Sequence, residues 1–96
     1  MLIINVTYKL KPGMRDAYIE ALKKNRIAER CSAEAGNLAY RFFVPIDEAD
    51  TDTVFLLEQY KDDDAVAEHM KQDHYAELQE IKAQYVESTD IKKYRD

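Results

Sequence analysis

His69 and His74 stand five residues apart and are the only histidines in a chain of 96 residues. Imidazole exchanges protons near neutral pH, so either can serve as a general base. Either can equally be a structural residue, hydrogen-bonded where a helix meets a sheet. His69 follows Val66 by three residues and precedes Met70, near the inner face of a helix; His74 lies in Gln72-Asp73-His74-Tyr75, at a candidate helix break. Asn25 falls within the apolar stripe of an earlier helix. A buried amide must find partners or lose about 1–3 kcal/mol. It therefore ties the helix to a backbone carbonyl, or it faces a ligand. Glu58 and Tyr60 share a strand face with Leu56. A carboxylate on a core-facing parity needs a partner, or its pKa rises. Arg41 is a cross-strand candidate for that partner, unless it faces outward. Of seven tyrosines, Tyr60 and Tyr40 are the two read as pocket residues.

Other chemistries lack their signatures. The chain has no CxxC, HExxH, phosphate-binding loop or GxGxxG. Two histidines without a cysteine near them in sequence make a poor zinc set, so no metal is expected. Two glycines do not build a cradle for a flavin or nicotinamide phosphate, so no cofactor is expected either. Cys31, near the end of the first helix, reads as a small buried hydrophobe.

The elements that must hold these residues follow from periodicity. Leu2–Leu10 alternates with period two and β-branched residues, as a strand does, and Lys11-Pro12-Gly13 ends it. Met14, Tyr18, Ala21, Leu22, Asn25, Ala28 and Ser32 share one face of a helix expected over Met14–Ala33, which Gly36 and Asn37 stop. Leu38–Val44 and Thr53–Tyr60 read as strands joined by an acidic loop over 45–52. Asp62, Asp63 and Asp64 suit the start of a second helix. Asp73 either caps a fresh start or lies within one long helix. Ser88-Thr89-Asp90 breaks the pattern, and Ile91–Arg95 is a weak final strand.

The order β-α-β-β-α-β predicts an α+β, ferredoxin-like sandwich: an antiparallel sheet with two helices on one face, formed by residues 1–96 as one domain. Both strand parities carry large apolar groups. If Tyr60 faces the helices, Ile3, Phe43, Phe55 and Leu57 form the other sheet face, and a second copy of the sheet is expected to cover it in an isologous homodimer.

Composition narrows the partners. A net charge of −5 and a pI near 5.0 argue against nucleic acid and anionic membranes. One cysteine forms no internal disulfide, no apolar run approaches the roughly 20 residues of a membrane span, and the start lacks a signal-peptide pattern. A soluble protein of a reducing compartment, most simply the cytoplasm, is expected.

Three blocks carry a family resemblance: Glu34-Ala35-Gly36-Asn37-Leu38-Ala39-Tyr40; Phe55-Leu56-Leu57-Glu58-Gln59-Tyr60-Lys61-Asp62; and Ala65, His69, His74 and Tyr75. They resemble the antibiotic biosynthesis monooxygenase (ABM) domain over about Ile3 to Leu78. The stretch from Tyr60 to His69 is similar to the branch containing the isomerase of phosphorylated autoinducer-2. The resemblance implies a ferredoxin-like fold, a sheet-to-sheet homodimer and a pocket between sheet and helices. It also implies a reaction without a cofactor, in which the substrate is deprotonated and its anion reacts with dioxygen. On that reading His69 and His74 are the candidate bases, Asn25 is a donor to the substrate oxygen, and Glu58 and Tyr60 form the pocket floor. Many members have Trp where this chain has Tyr60, which counts against haem degradation.

Three functions are weighed. The first is a cofactor-independent monooxygenase acting on a quinol-like or polyphenolic small molecule. The second is an isomerase of a small phosphorylated hydroxy-dione, for which Arg26, Arg30 and Arg41 offer little phosphate binding. The third is a dimeric small-molecule-binding or stress protein without catalysis.

Overall fold

A computed structural model describes all 96 residues. β1 (Leu2–Leu10) buries Ile4, Val6, Tyr8 and Leu10, the parity that alternation assigns to one face. Gly13, at φ 75°, turns the chain into α1 (Arg15–Lys24).

The single helix expected over Met14–Ala33 is two. Asn25 ends α1, and Arg26 takes the left-handed conformation at φ 54°, ψ 39°, the one non-glycine residue with positive φ. α2 (Ile27–Ser32) starts immediately after it. The Arg26 guanidinium donates to Glu29 at 2.8 and 2.6 Å, which helps hold the strained residue. The break also changes the helical phase. Ile27 and Cys31 are fully buried, instead of the Ala28 and Ser32 that an unbroken helix would turn inward.

β2 (Asn37–Phe43) and β3 (Thr53–Tyr60) form a hairpin in which Tyr40 opposes Glu58 and Phe43 opposes Phe55. Val54, Leu56, Glu58 and Tyr60 all face the helices. The second helical stretch is also divided, into α3 (Asp63–Met70) and α4 (Asp73–Tyr85), with extended Gln72 between them. Asp62 caps α3 by accepting from the Ala65 N–H at 2.9 Å.

β4 (Val86–Arg95) begins five residues before the expected Ile91. Ser88, Thr89 and Asp90 do not interrupt it; they pair with Lys9, Tyr8 and Thr7 of β1. Nearly every β4 side chain is exposed, so this edge strand has no buried face to impose alternation on its sequence.

The antiparallel sheet has the order β2-β3-β1-β4, and the helices cover one face. This is the ferredoxin-like arrangement, with β-α-α-β-β-α-α-β in place of the two-helix form. Its core lies between sheet and helices, where Tyr8, Tyr18, Leu56 and Tyr60 are sealed from solvent. No helix is long and apolar enough to cross a membrane.

Candidate functional site

The ends of three helices meet above the end of β3. Glu34 lies just past α2, His69 in the last turn of α3 and His74 in the first turn of α4. Gly36 lets these segments come together, because a side-chain carbon built on it would overlap Ala65 of α3. Its carbonyl then accepts from the Lys61 N–H at 3.0 Å.

The Glu34 carboxylate joins the two histidines. It lies 3.0 and 2.8 Å from His69 Nδ1, and 2.6 Å from His74 Nε2. A carboxylate only accepts, so both facing nitrogens donate. That leaves His69 Nε2 and His74 Nδ1 as the nitrogens able to take a further proton. Glu34 also secures each imidazolium that proton uptake would create. Both histidines are buried: His69 as its place near the inner helix face implied, His74 at a helix start whose sequence set no direction.

His69 is the centre of an aromatic box, with the rings of Tyr40, Tyr60 and Tyr75 at centroid distances of 5.8, 5.5 and 5.3 Å. Its Nε2 faces Glu58 Oε1 at 3.9 Å. Glu58 in turn accepts a 2.6 Å hydrogen bond from the Tyr60 hydroxyl. Burial pushes the Glu58 carboxyl up, opposed by that hydrogen bond and by the charges of His69 and Lys82, while Glu34 adds to the rise. Burial likewise pushes the Tyr60 and Tyr40 phenols up, so both are hydroxyl donors at neutral pH. The Cys31 thiol is pushed up to about 12, mainly by burial.

The expected site residues therefore divide. His69, His74, Glu58, Tyr60 and Tyr40 come together. Asn25 takes the local option: as the C-terminal cap of α1, its amide donates to the Ala21 carbonyl at 2.8 Å. Arg41 is not the partner of Glu58. It lies on the opposite sheet face, with its guanidinium over the Phe43 ring at 5.2 Å.

Three participants were not legible as such. Glu34 is the first, visible in the sequence only as the head of the block ending at Tyr40. Cys31 is the second, brought to the histidines by the phase change at Arg26. Lys82 is the third: its ammonium sits over the Tyr8 ring at 5.3 Å, and burial depresses its pKa while Glu58 opposes the effect.

Beside this cluster runs an apolar groove of 550 Å³ between α1, α2 and the β2 edge. Leu22, Ile27, Ala28, Phe42 and Val54 line it, and Tyr40 forms the wall it shares with the His69 box. Lys23, Arg26 and Glu29 also line it.

A family model described as antibiotic biosynthesis monooxygenase matches residues 1–81. The chain belongs to the ABM family. Solved structures carry the same fold. A candidate antibiotic biosynthesis monooxygenase from Nitrosomonas europaea is 24% identical, with a TM-score of 0.87 over 100% of this chain and 98% of that one. A Shewanella oneidensis protein is 25% identical, with a TM-score of 0.84 over 99% and 89% of the two chains. A Pseudomonas aeruginosa protein is 21% identical, with a TM-score of 0.86 over 99% and 92%. No curated protein matches the sequence. Family membership accounts for the ferredoxin-like sheet and is consistent with a monooxygenase-type role.

Proposed function

We propose that this ABM-family chain is a cofactor-independent monooxygenase of a quinol-like or polyphenolic molecule. The observation that carries the reading is the buried Glu34 carboxylate shared by His69 and His74. It supplies paired, oriented imidazoles beside a groove suited to a flat aromatic ring.

The chemistry needs no external reductant. A quinol loses a phenolic proton to His69 or His74, and Glu34 stabilises the imidazolium. The electron-rich anion reduces dioxygen. One oxygen atom enters a ring carbon, and the other leaves as water with two substrate hydrogens. Hydroquinone plus dioxygen thus balances as hydroxyquinone plus water, the substrate giving all four electrons. Tyr40 and Tyr60, whose rings pack against His69, carry the hydroxyls assigned to a developing oxyanion, Tyr60 by giving up its hydrogen bond to Glu58. The ring sits in the groove, and Tyr40 must turn aside to bring it to His69.

On this reading the chain works as an isologous homodimer of single-domain protomers in a reducing, cytoplasmic setting. The outer sheet face supports the dimer. Ile3, Phe55 and Leu57 are only half covered, Phe43 and Tyr94 are exposed, and Asn5 Oδ1, on the central strand of that face, has no hydrogen-bond partner.

The test is oxygen consumption by purified, metal-free protein over a panel of reduced quinones. Uptake that falls at least tenfold in His69→Ala supports the reading, and no uptake across the panel refutes it. The same base pair can move a proton next to a carbonyl without oxygen. Exchange of carbon-bound protons in an anaerobic hydroxy-dione, followed by NMR, would assign the isomerase instead. Ligand affinity without turnover, unchanged in a His69→Ala, His74→Ala double variant, would assign a binding protein.

A further inference from the structure

Where the three helix ends meet, four donors converge: the Cys31 sulfur, a Glu34 carboxylate oxygen and one ring nitrogen each of His69 and His74 lie within 4.8 Å of one another, and the nitrogens that face Glu34 are His69 Nδ1 and His74 Nε2. We infer that these four side chains form a closed binding site for one divalent cation of the zinc type.

The donor set selects the ion. One thiolate, two imidazoles and one carboxylate suit a borderline-soft cation with four ligands. Calcium and magnesium require six or more ligands, chiefly oxygen, and find one carboxylate here. The spacing is close to what the ion needs. Bonds of about 2.0–2.3 Å set tetrahedral ligand–ligand separations of about 3.3–3.8 Å. At present Glu34 Oε2 is drawn in to 2.8 and 2.6 Å from the two ring nitrogens by the protons between them. An ion that replaces those protons pushes the same atoms apart by roughly 1 Å or less, a movement within side-chain reach.

Charge and surroundings agree with the assignment. A thiolate and a carboxylate balance a double positive charge, so the loaded centre is neutral. Neutrality suits side chains as enclosed as these: Cys31 is fully buried and Glu34, His69 and His74 are nearly so. Behind His69, the second nitrogen faces Glu58, which Tyr60 holds in place. A carboxylate behind a ligating imidazole orients the ring and raises its basicity.

With all four positions supplied by protein, the ion leaves no open site for substrate. It clasps α2, α3 and α4 together and withdraws both imidazoles from proton transfer. Under the oxygenase reading the loaded chain is a resting form, but the ion site does not depend on that reaction.

The test uses full-length, reduced, metal-free protein titrated with cobalt(II) under argon. The expected result is one ion per chain, an intense near-ultraviolet thiolate-to-cobalt band and tetrahedral visible bands. Zinc(II) then bleaches these bands and raises the melting temperature. Cys31→Ala keeps a small apolar side chain at a buried position, so its circular dichroism should match the wild type. It should lose the thiolate band and bind zinc at least about tenfold more weakly, and His74→Ala should lose the tetrahedral bands. A wild-type chain without the thiolate band overturns the site however the variants behave. So does stoichiometric binding of unchanged affinity in both variants. A chain that gives the band but oxidises no quinol refutes the proposed reaction and leaves the ion site standing.

Discussion

Replacing Glu34 by alanine removes the one acceptor shared by two buried imidazoles. The side chain of Glu34 is only 11% exposed, so water does not take its place. Two donors lose their partner, His69 Nδ1 at 2.8 Å and His74 Nε2 at 2.6 Å. Hydrogen bonds to charged groups contribute about 1.5–3 kcal/mol each. A buried donor left without its partner also loses about 1–3 kcal/mol of solvation. A loss of about 3–5 kcal/mol is therefore expected, from a total of roughly 5–14 kcal/mol for 96 residues. At ~4–8 °C per kcal/mol, the melting temperature falls by at least ~12 °C. Glu34→Gln keeps the shape and one oxygen acceptor, so about half of that loss is expected. The measurement is urea and thermal unfolding followed by circular dichroism at pH 7.5, with a chelator present so that bound metal adds nothing. A loss below about 1 kcal/mol in Glu34→Ala would show that the bridge does not hold the helix ends together.

Three further outcomes follow from the same packing. Glu58, facing Tyr60, His69, Lys82 and Glu34, has a raised pKa. The folded state therefore holds its proton more tightly than the unfolded chain, and this contribution to stability fades as pH rises through the folded value. Glu58→Gln, which cannot ionise, should gain melting temperature relative to wild type between pH 4 and 8; a narrowing difference would contradict the burial argument. Gly36→Ala puts a side-chain carbon into Ala65 and should cost about 1–3 kcal/mol in chemical denaturation. Ala65→Gly in the same chain should recover part of that loss, and strictly additive losses would count against the close approach. Phe55→Asp places a charge beside Phe43, 6.1 Å away between ring centroids, on the half-covered sheet face. It should sediment as a monomer at micromolar concentration where the wild type sediments as a dimer, and a monomeric wild type would remove the interface.

What the sequence made legible follows from which residues meet a boundary between core and solvent. β3 reads plainly, because Val54, Leu56, Glu58 and Tyr60 all turn to the helices while their neighbours do not. That alternation also placed Glu58 and Tyr60 correctly in the core. β4 was half missed because it is an exposed edge, where nothing selects an alternating pattern. The α1–α2 break was missed because Arg26 is an ordinary helix former, and its left-handed backbone depends on tertiary context. That error carried two others. It gave Asn25 a pocket role and concealed that Cys31, rightly read as buried, comes to the histidines. Glu34 follows α2 in an exposed-looking stretch, and α3 and α4, close to it through the Gly36–Ala65 approach, bring His69 and His74 against it. Both histidines were found from residue type and helix position, whereas their shared carboxylate, 35 and 40 residues away, has no local signal.

The place of β1 in the sheet has a consequence for the order in which the molecule can assemble. It is the first strand to be synthesised, yet it lies between β3 and β4, with one edge bonded to residues 53–60 and the other to residues 86–95. An emerging chain must therefore carry an apolar strand with both edges open until residues 53–60 have been made. The β2–β3 hairpin is local and can close early, offering β1 its first edge. Glu34, Glu58, His69 and His74 all precede α4's end, so the helix-end cluster can form while β1 is still open on its β4 side. Only residues 86–95, the last strand in chain order, can seal that side, so the open edge of β1 outlasts the assembly of every other element.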